Sequence, residues 1–186
     1  MFKPFVLVLL SCLLAVLLVQ ETYPQSGQVK FKCKNARTTL KKSICDAIVP
    51  LTDTYRKDSV VWKEFEVTVR HIDLNRDGKN EEVVWESSWA GTSGGSLWVL
   101  YKNGREYKKI FETEMTWSPI ILLKSKTKGW NDLAYYVTGG GVEPEFVTLG
   151  FKNSKYRWKA TNRETPKGKI LIGRNWGNSV FGPITP

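Results

Sequence analysis

The chain has 186 residues and carries 28 Lys and Arg against 18 Asp and Glu, a net charge of +10. That length suits one domain with an adequate core, and the positive excess favours anionic partners without bearing on the fold. With one histidine and three cysteines, the sequence offers no zinc-ligand cluster, serine nucleophile elbow or Cys–His pair, so we expect a non-catalytic protein.

The N-terminus carries a hydrophobic leader. An apolar run from Phe5 to Val19 follows Lys3, which predicts a secretory signal peptide over residues 1–25. The run is shorter than the roughly 20 residues that span a bilayer. No clear small-residue cleavage site follows, so an uncleaved leader acting as a membrane anchor is the alternative. We expect a periplasmic or secreted bacterial protein in which residues 26–186 form a single globular domain.

The segment after the leader predicts a helical cap. Removal of the leader leaves Cys33 and Cys45, and an even cysteine pair in an oxidising compartment predicts a disulfide. Thr38 or Thr39 can cap a helix over residues 38–57, with a kink at Pro50. Apolar residues recur there at steps of three and four, forming one stripe of Leu40, Ile44, Ile48, Leu51 and Tyr55. Residues 28–58 are therefore predicted to form the cap.

Beyond Lys57 the apolar pattern changes to a period of two, which predicts a β region over residues 60–174. The first strand is centred on Val67 and Val69, and Asn103-Gly104 predicts a two-residue hairpin. Further strands are predicted over 82–89, 96–102, 106–112, 119–124, 132–138, 145–152 and 155–159. The predicted fold class is α+β, with a disulfide-pinned N-terminal helical segment packed on a mostly antiparallel β-sheet.

One turn in the β region has the composition of a metal loop. Oxygen-bearing side chains stand at positions 1, 3, 5 and 9 of this turn, with a glycine at position 6, and Ca²⁺ takes six to eight such hard oxygen ligands. The nine residues are Asp73-Leu74-Asn75-Arg76-Asp77-Gly78-Lys79-Asn80-Glu81. Position 12 is Val84 instead of the glutamate of an EF-hand, and the flanks are predicted strands.

The loop resembles the aspartate-rich calcium hairpin of FG-GAP (integrin-type) repeats. We expect side-chain oxygens of Asp73, Asn75, Asp77 and Glu81, with the carbonyl of Lys79, to hold Ca²⁺ in a structural role. The alternative is a polar turn that Asx side chains stabilise without any metal.

Two further resemblances concern location and function. Phe31-x-Cys33-x-x-Ala36-x-Thr38, followed by Ile44-Cys45, resembles the N-terminal segment of the LprI-like family of bacterial lysozyme inhibitors. That resemblance implies an envelope location, a Cys33–Cys45 disulfide and a helical cap. The Gly-rich stretch 89–100, with glycines at 139–141, is similar to a group of uncharacterised proteobacterial periplasmic proteins, which names no activity.

The sequence thus predicts an exported, non-catalytic cell-envelope binding or inhibitor protein of the lysozyme-inhibitor type, with an envelope protein or glycan as ligand. Two alternatives stay open. One is a hydrolase that acts on envelope polymers, and the other is a basic protein that binds anionic envelope surfaces through its charge. Nucleic acid is not an expected partner.

Overall fold

The computed structural model of the chain describes residues 27–48, 66–91, 94–139 and 141–173. These ranges contain nine β-strands, one α-helix and a short 3-10 turn. The elements are β1 (Gln28–Lys32), the 3-10 turn (Cys33–Asn35), α1 (Thr39–Ile48), β2 (Glu66–Ile72), β3 (Glu81–Gly91), β4 (Gly94–Asn103), β5 (Glu106–Thr127), β6 (Trp130–Gly139), β7 (Val142–Lys152), β8 (Lys155–Asn162) and β9 (Gly168–Ile172). The predicted leader, the predicted helix beyond Ile48 and the C-terminal tail lie outside the described residues.

The strands form one antiparallel meander in the order β1 to β8, and β9 pairs with β5. Strand β5 is 22 residues long and belongs to both halves of the sheet. Its first part, up to Thr116, pairs with β4. Its second part lies between β6 and β9. The N-terminal half of the sheet is therefore β1–β4 with the start of β5, and the C-terminal half is the rest.

Strand β5 is interrupted where it passes from one half to the other. Met115 has a positive φ of 61°, and the Ser118–Pro119 peptide bond is cis. The register with β6 shifts between Trp117 and Ile120. The two strands predicted over 106–112 and 119–124 are thus two parts of one strand, and the residues between them mark its irregular middle.

The two halves of the sheet enclose one hydrophobic core. Its buried side chains come from β3 and β4 on one side and from β5 to β9 on the other, together with Leu74 of the β2–β3 loop. They include Val83, Trp85, Leu97, Val99, Ile120, Leu133, Leu149, Tyr156 and Ile172. Burial of this apolar area is the main favourable contribution to folding.

Helix α1 covers the opposite face of the N-terminal half. Ile44, Cys45 and Ile48 of the helix are buried in a second cluster, which also contains Val67 and Val69 of β2 and Trp98 and Leu100 of β4. Thr38 is the capping residue, since its Oγ1 accepts a hydrogen bond from Lys41 N at 3.3 Å. The predicted disulfide is confirmed, because Cys33 and Cys45 are bonded across a separation of 12 residues.

The predicted fold class was wrong. The described residues form a mostly antiparallel β protein with a single ten-residue helix, not an α+β fold with a helical segment. The predicted cap over residues 28–58 fails at its start, because residues 28–32 form β1, paired with β2 from Gln28↔Arg70 to Lys32↔Glu66. In residues 28–32 only Val29 and Phe31 follow the period-two apolar pattern. Two residues are too few to predict a strand.

Candidate calcium site

The β2–β3 loop has a backbone that only certain residues tolerate. Arg76 and Gly78 both have positive φ, at 66° and 83°. A Cβ at Gly78 would meet nothing within 4 Å, so the glycine serves the backbone conformation and not close packing. The loop reverses the chain tightly between Ile72 and Glu81.

The carboxylate of Asp73 organises this reversal. Its Oδ1 accepts hydrogen bonds from Arg76 N at 2.6 Å and Asp77 N at 3.2 Å, and its Oδ2 accepts one from Gly78 N at 2.9 Å. Three backbone donors therefore converge on one carboxylate. An ionised carboxylate has about four acceptor sites, so Asp73 retains capacity for a further ligand.

Asn75 and Asp77 close the tip of the loop. Asn75 Oδ1 accepts from Asp77 N at 2.9 Å, and Asn75 Nδ2 donates to Asp77 Oδ2 at 3.0 Å. Asp77 Oδ1 accepts from Lys79 N at 2.8 Å. The hydrogen bond from Asn75, and then that from the Lys79 backbone, lower the pKa of Asp77 below its usual value. Asp77 is exposed and carries its charge at neutral pH.

Glu81 differs from the other carboxylates of the loop because it is fully buried. Its Oε2 accepts a hydrogen bond from Leu74 N at 2.7 Å, whereas its Oε1 is buried with no hydrogen-bond partner. Burial raises the pKa of Glu81 to about 7, and the charges of Asp77 and Asp73 add to the rise against the opposing hydrogen bond from Leu74. An unpaired buried carboxylate is costly unless a cation compensates it.

The donor set of the loop suits a hard cation. Asp73, Asn75, Asp77 and Glu81 supply oxygen side chains, and Lys79, whose side chain is exposed, adds a backbone carbonyl, as Ca²⁺ prefers. Among the described residues, no three His, Cys, Asp or Glu side chains form a group that could hold a metal ion.

A hydrogen-bonded junction connects the loop to the C-terminal half of the sheet. Asn131 N of β6 donates to Leu74 O at 2.8 Å, and Tyr156 OH of β8 donates to Asn131 O at 2.7 Å. The side chain of Leu74 is itself buried in the main core. A change in the conformation of the loop would thus reach both halves of the sheet.

A second buried carboxylate, Asp132, follows directly after this junction. Its Oδ2 accepts from Ser125 Oγ at 2.7 Å and Lys159 Nζ at 2.6 Å, and its Oδ1 accepts from Thr127 Oγ1 at 2.7 Å. Burial alone would raise the pKa of Asp132, but the hydrogen bonds from Lys159, Thr127 and Ser125 outweigh it and lower the pKa. Sequence reasoning missed this group, because no local motif marks donors that come from β5 and β8.

The only histidine lies in a third polar cluster, on the helix-covered face of the N-terminal half. His71 Nδ1 contacts Glu82 Oε2, and Tyr107 OH donates to Glu82 Oε1 at 2.8 Å. His71 and Glu82 are opposite each other in the β2–β3 register and are both buried. The cross-strand register is the signal that could have paired them.

Comparison with known proteins gave no relative: no family model, curated protein or solved structure matches the chain. Within the described ranges, no helix is long and apolar enough to cross a membrane.

Proposed function

We propose that this chain is an exported, non-catalytic binding protein of the cell envelope whose β2–β3 loop binds Ca²⁺. Its location is periplasmic or secreted, or membrane-anchored if the leader is uncleaved. Two observations support export. The N-terminal apolar run has the pattern of a signal peptide, and the Cys33–Cys45 disulfide suits an oxidising compartment outside the cytosol.

The observation that carries the calcium proposal is Glu81. It is buried, and one of its oxygens is without a hydrogen-bond partner beside the charges of Asp73 and Asp77. A Ca²⁺ ion held by the oxygens of Asp73, Asn75, Asp77 and Glu81 and by the Lys79 carbonyl would compensate this charge. Its role is structural, because it would fix the turn between β2 and β3 and, through Leu74, the junction with β6.

Thermal melting tests this proposal. Ca²⁺ that binds the folded state alone raises stability by about 2.7 kcal/mol at a hundredfold excess over the dissociation constant. We expect millimolar Ca²⁺ to raise the melting temperature of metal-stripped protein by about 5 °C. Mg²⁺ should have a smaller effect, since it demands near-ideal octahedral geometry and gives up its water ligands reluctantly. Asp77→Ala removes an exposed ligand and should abolish the rise.

If wild type and Asp77→Ala melt alike in Ca²⁺ and in chelator, the loop is a polar turn and the calcium proposal fails. Asn80→Ala is a suitable control, because Asn80 lies in the same loop without a place in the donor set. It should keep the full response to Ca²⁺.

The Cys33–Cys45 disulfide favours a second candidate function, inhibition of a lysozyme. It joins the residues on which the resemblance to the LprI-like family rests, and it is buried in the cluster between α1 and the sheet. Lysozymes of several classes, assayed on peptidoglycan with the pure protein added, test this candidate. Inhibition at stoichiometric concentrations would support it, and unchanged rates with every enzyme would exclude it for those classes. Cleavage of peptidoglycan by the protein alone would point to the hydrolase alternative.

A further inference from the structure

Two hairpin turns lie at the same end of the C-terminal half and carry an excess of positive charge. The turn Lys128-Gly129 joins β5 to β6, with Thr127 paired to Trp130. The turn Asn153-Ser154 joins β7 to β8, with Lys152 paired to Lys155. The exposed cations around these turns are Lys126, Lys128, Lys152, Lys155 and Arg157, which we call the cationic ridge.

The hydrogen bonds around buried Asp132 link β8 to β5 and β6 near these two turns. Lys159 Nζ of β8 reaches Asp132 of β6 at 2.6 Å and Thr127 Oγ1 of β5 at 3.3 Å. The space for these contacts lies over Gly150 of β7, where a Cβ would come within 2.7 Å of Thr127 Oγ1. Lys126 and Lys128 flank Thr127 at the end of β5.

The ridge cations are not neutralised within the described part of the chain. None of the five forms a salt bridge there, while Asp132, the one acidic residue in the segments 124–139 and 150–159, is buried and occupied by Lys159. Like charges gathered at one end of the sheet repel one another. A fold that keeps them together without carboxylates leaves a surface that an anionic partner would neutralise.

Trp158 adds an exposed aromatic ring to this surface. It is 67% exposed on β8, which pairs only with β7 among the described strands. The register places Trp158 opposite Leu149 and Arg157 opposite Gly150, so the two side chains leave the strand on opposite faces. Only a ligand that runs along the edge of β8 to which no described strand is paired would contact both.

We propose that the cationic ridge and Trp158 bind a linear acidic polysaccharide laid along the edge of β8. Carboxylates of the polymer would pair with Lys155 and Arg157, which are about 7 Å apart along the strand, and a sugar ring would pack on the indole of Trp158. The inference rests on the proposed envelope-binding role and names its ligand class. It does not require Ca²⁺ in the β2–β3 loop, so the two proposals fail separately.

This geometry favours a polymer chain over a flat anionic membrane. A membrane that touched the two hairpin turns would meet Lys128 and Lys152 first. Trp158 lies three residues from Lys155, about 10 Å along the strand, on a face that a flat surface at the turns would not reach. Single-stranded nucleic acid also combines charge with stacking, but the disulfide indicates a compartment outside the cytosol.

Binding of fluorescein-labelled alginate to the full protein in chelator, measured by anisotropy, tests the proposal. Lys155→Glu/Arg157→Glu should weaken binding at least tenfold, because two ion pairs become two repulsions. Trp158→Ala should weaken it about fivefold without changing its salt dependence. The matched control is Arg37→Glu/Lys42→Glu, which makes the same charge change at two exposed residues at and near α1 and should leave affinity within about twofold.

Equal losses from the ridge variant and the control would show attraction by net charge alone and overturn the proposal. Tighter binding to vesicles of anionic phospholipid or to single-stranded DNA than to alginate would also overturn it, in favour of those partners. Unchanged binding by Trp158→Ala would refute the path along the β8 edge. Circular dichroism of each variant separates loss of the ligand from loss of the fold.

Discussion

Glu81 and Asp132 are both fully buried carboxylates, and they stand on the two sides of one hydrogen-bonded junction between Leu74 and Asn131. Asp132 has donors on both oxygens, from Ser125, Thr127 and Lys159. Glu81 has a single donor, Leu74 N, and its other oxygen has none. Their pKa values move in opposite directions, downwards for Asp132 and upwards to about 7 for Glu81.

The difference shows that burial alone does not decide the state of a carboxylate. Where the fold supplies donors, the charged form is stable inside the protein and the group is a structural contact. Where the fold supplies one donor and two neighbouring carboxylates, the charged form needs a cation from outside. Asp132 already has donors for both of its oxygens. We infer that Ca²⁺ compensates the charge of Glu81, for which the fold supplies only one donor.

The largest expected effect comes from removing each charge in turn. Asp132→Asn leaves the Lys159 ammonium without its carboxylate and places an amide N–H₂ beside it, so it should lower the free energy of unfolding by about 3 kcal/mol. Glu81→Gln, measured in chelator at pH 8, should not destabilise the protein, because it removes an uncompensated charge. Urea unfolding measures both. If both variants lose the same free energy of unfolding, the proposed difference between Asp132 and Glu81 is wrong.

The free energy of unfolding of metal-free protein should depend on pH in a way that distinguishes Glu81 from Asp132. The pKa of Glu81 is raised from 4.5 to about 7, so between these values the folded state binds more protons than the unfolded state. The free energy of unfolding therefore falls as pH rises through this window, by on the order of 2 kcal/mol. Asp132, with a lowered pKa, contributes stability above its unfolded pKa that is lost only as pH falls through its lower folded value.

Urea midpoints at pH 5 and pH 8 in chelator measure this contrast. Glu81→Gln should flatten the difference between the two pH values, whereas Asp132→Asn should leave it in place. A wild-type midpoint that is higher at pH 8 than at pH 5 would contradict the raised pKa of Glu81.

A smaller effect should follow from filling the space over Gly150. Ala at this position would bring Cβ within 2.7 Å of Thr127 Oγ1, so the donors of Asp132 would have to shift, at about 1 kcal/mol. The loss should shrink in a Thr127→Ala background, where the nearest obstructing atom, Thr127 Oγ1, is gone. Additive losses in the double variant would show that Gly150 does not make room for the Asp132 network.

The smallest expected effect is at Lys79. Its proposed contribution to calcium binding is a backbone carbonyl, so Lys79→Ala should change the stabilisation by Ca²⁺ by less than about 0.5 kcal/mol. The melting temperatures of this variant with Ca²⁺ and with chelator provide the measurement. Loss of the response would mean that the side chain, and not the carbonyl, takes part.

Local patterns in the sequence predicted the local structure well. The alternation of apolar residues predicted strands β2 to β8, and the even number of cysteines beyond the leader predicted the disulfide. The hairpin after β4 was predicted at Asn103-Gly104 and lies one residue later, at Gly104-Arg105, because Asn103 still pairs with Glu106. Helix α1 begins at Thr39, directly after Thr38, which is one of the two predicted N-capping residues.

Features that depend on distant residues escaped prediction. β1 and β9 are short edge strands whose pairing partners, β2 and β5, lie far along the chain. The length of β5 was hidden by Met115 and Pro119, which interrupt its pattern without ending the strand. The motif identified Glu81 as a ligand candidate, but its unpaired oxygen and the complete set of donors at Asp132 follow only from tertiary packing.

Isothermal titration of Ca²⁺ into metal-stripped protein tests the central claim most directly, with wild type, Glu81→Gln and Asp132→Asn measured side by side. Asp132→Asn serves as the control for loss of a buried carboxylate outside the loop. We predict one Ca²⁺ bound per chain in wild type and in Asp132→Asn, and binding at least tenfold weaker in Glu81→Gln. Heat of binding that is absent from wild type, or unchanged in Glu81→Gln, would contradict the account.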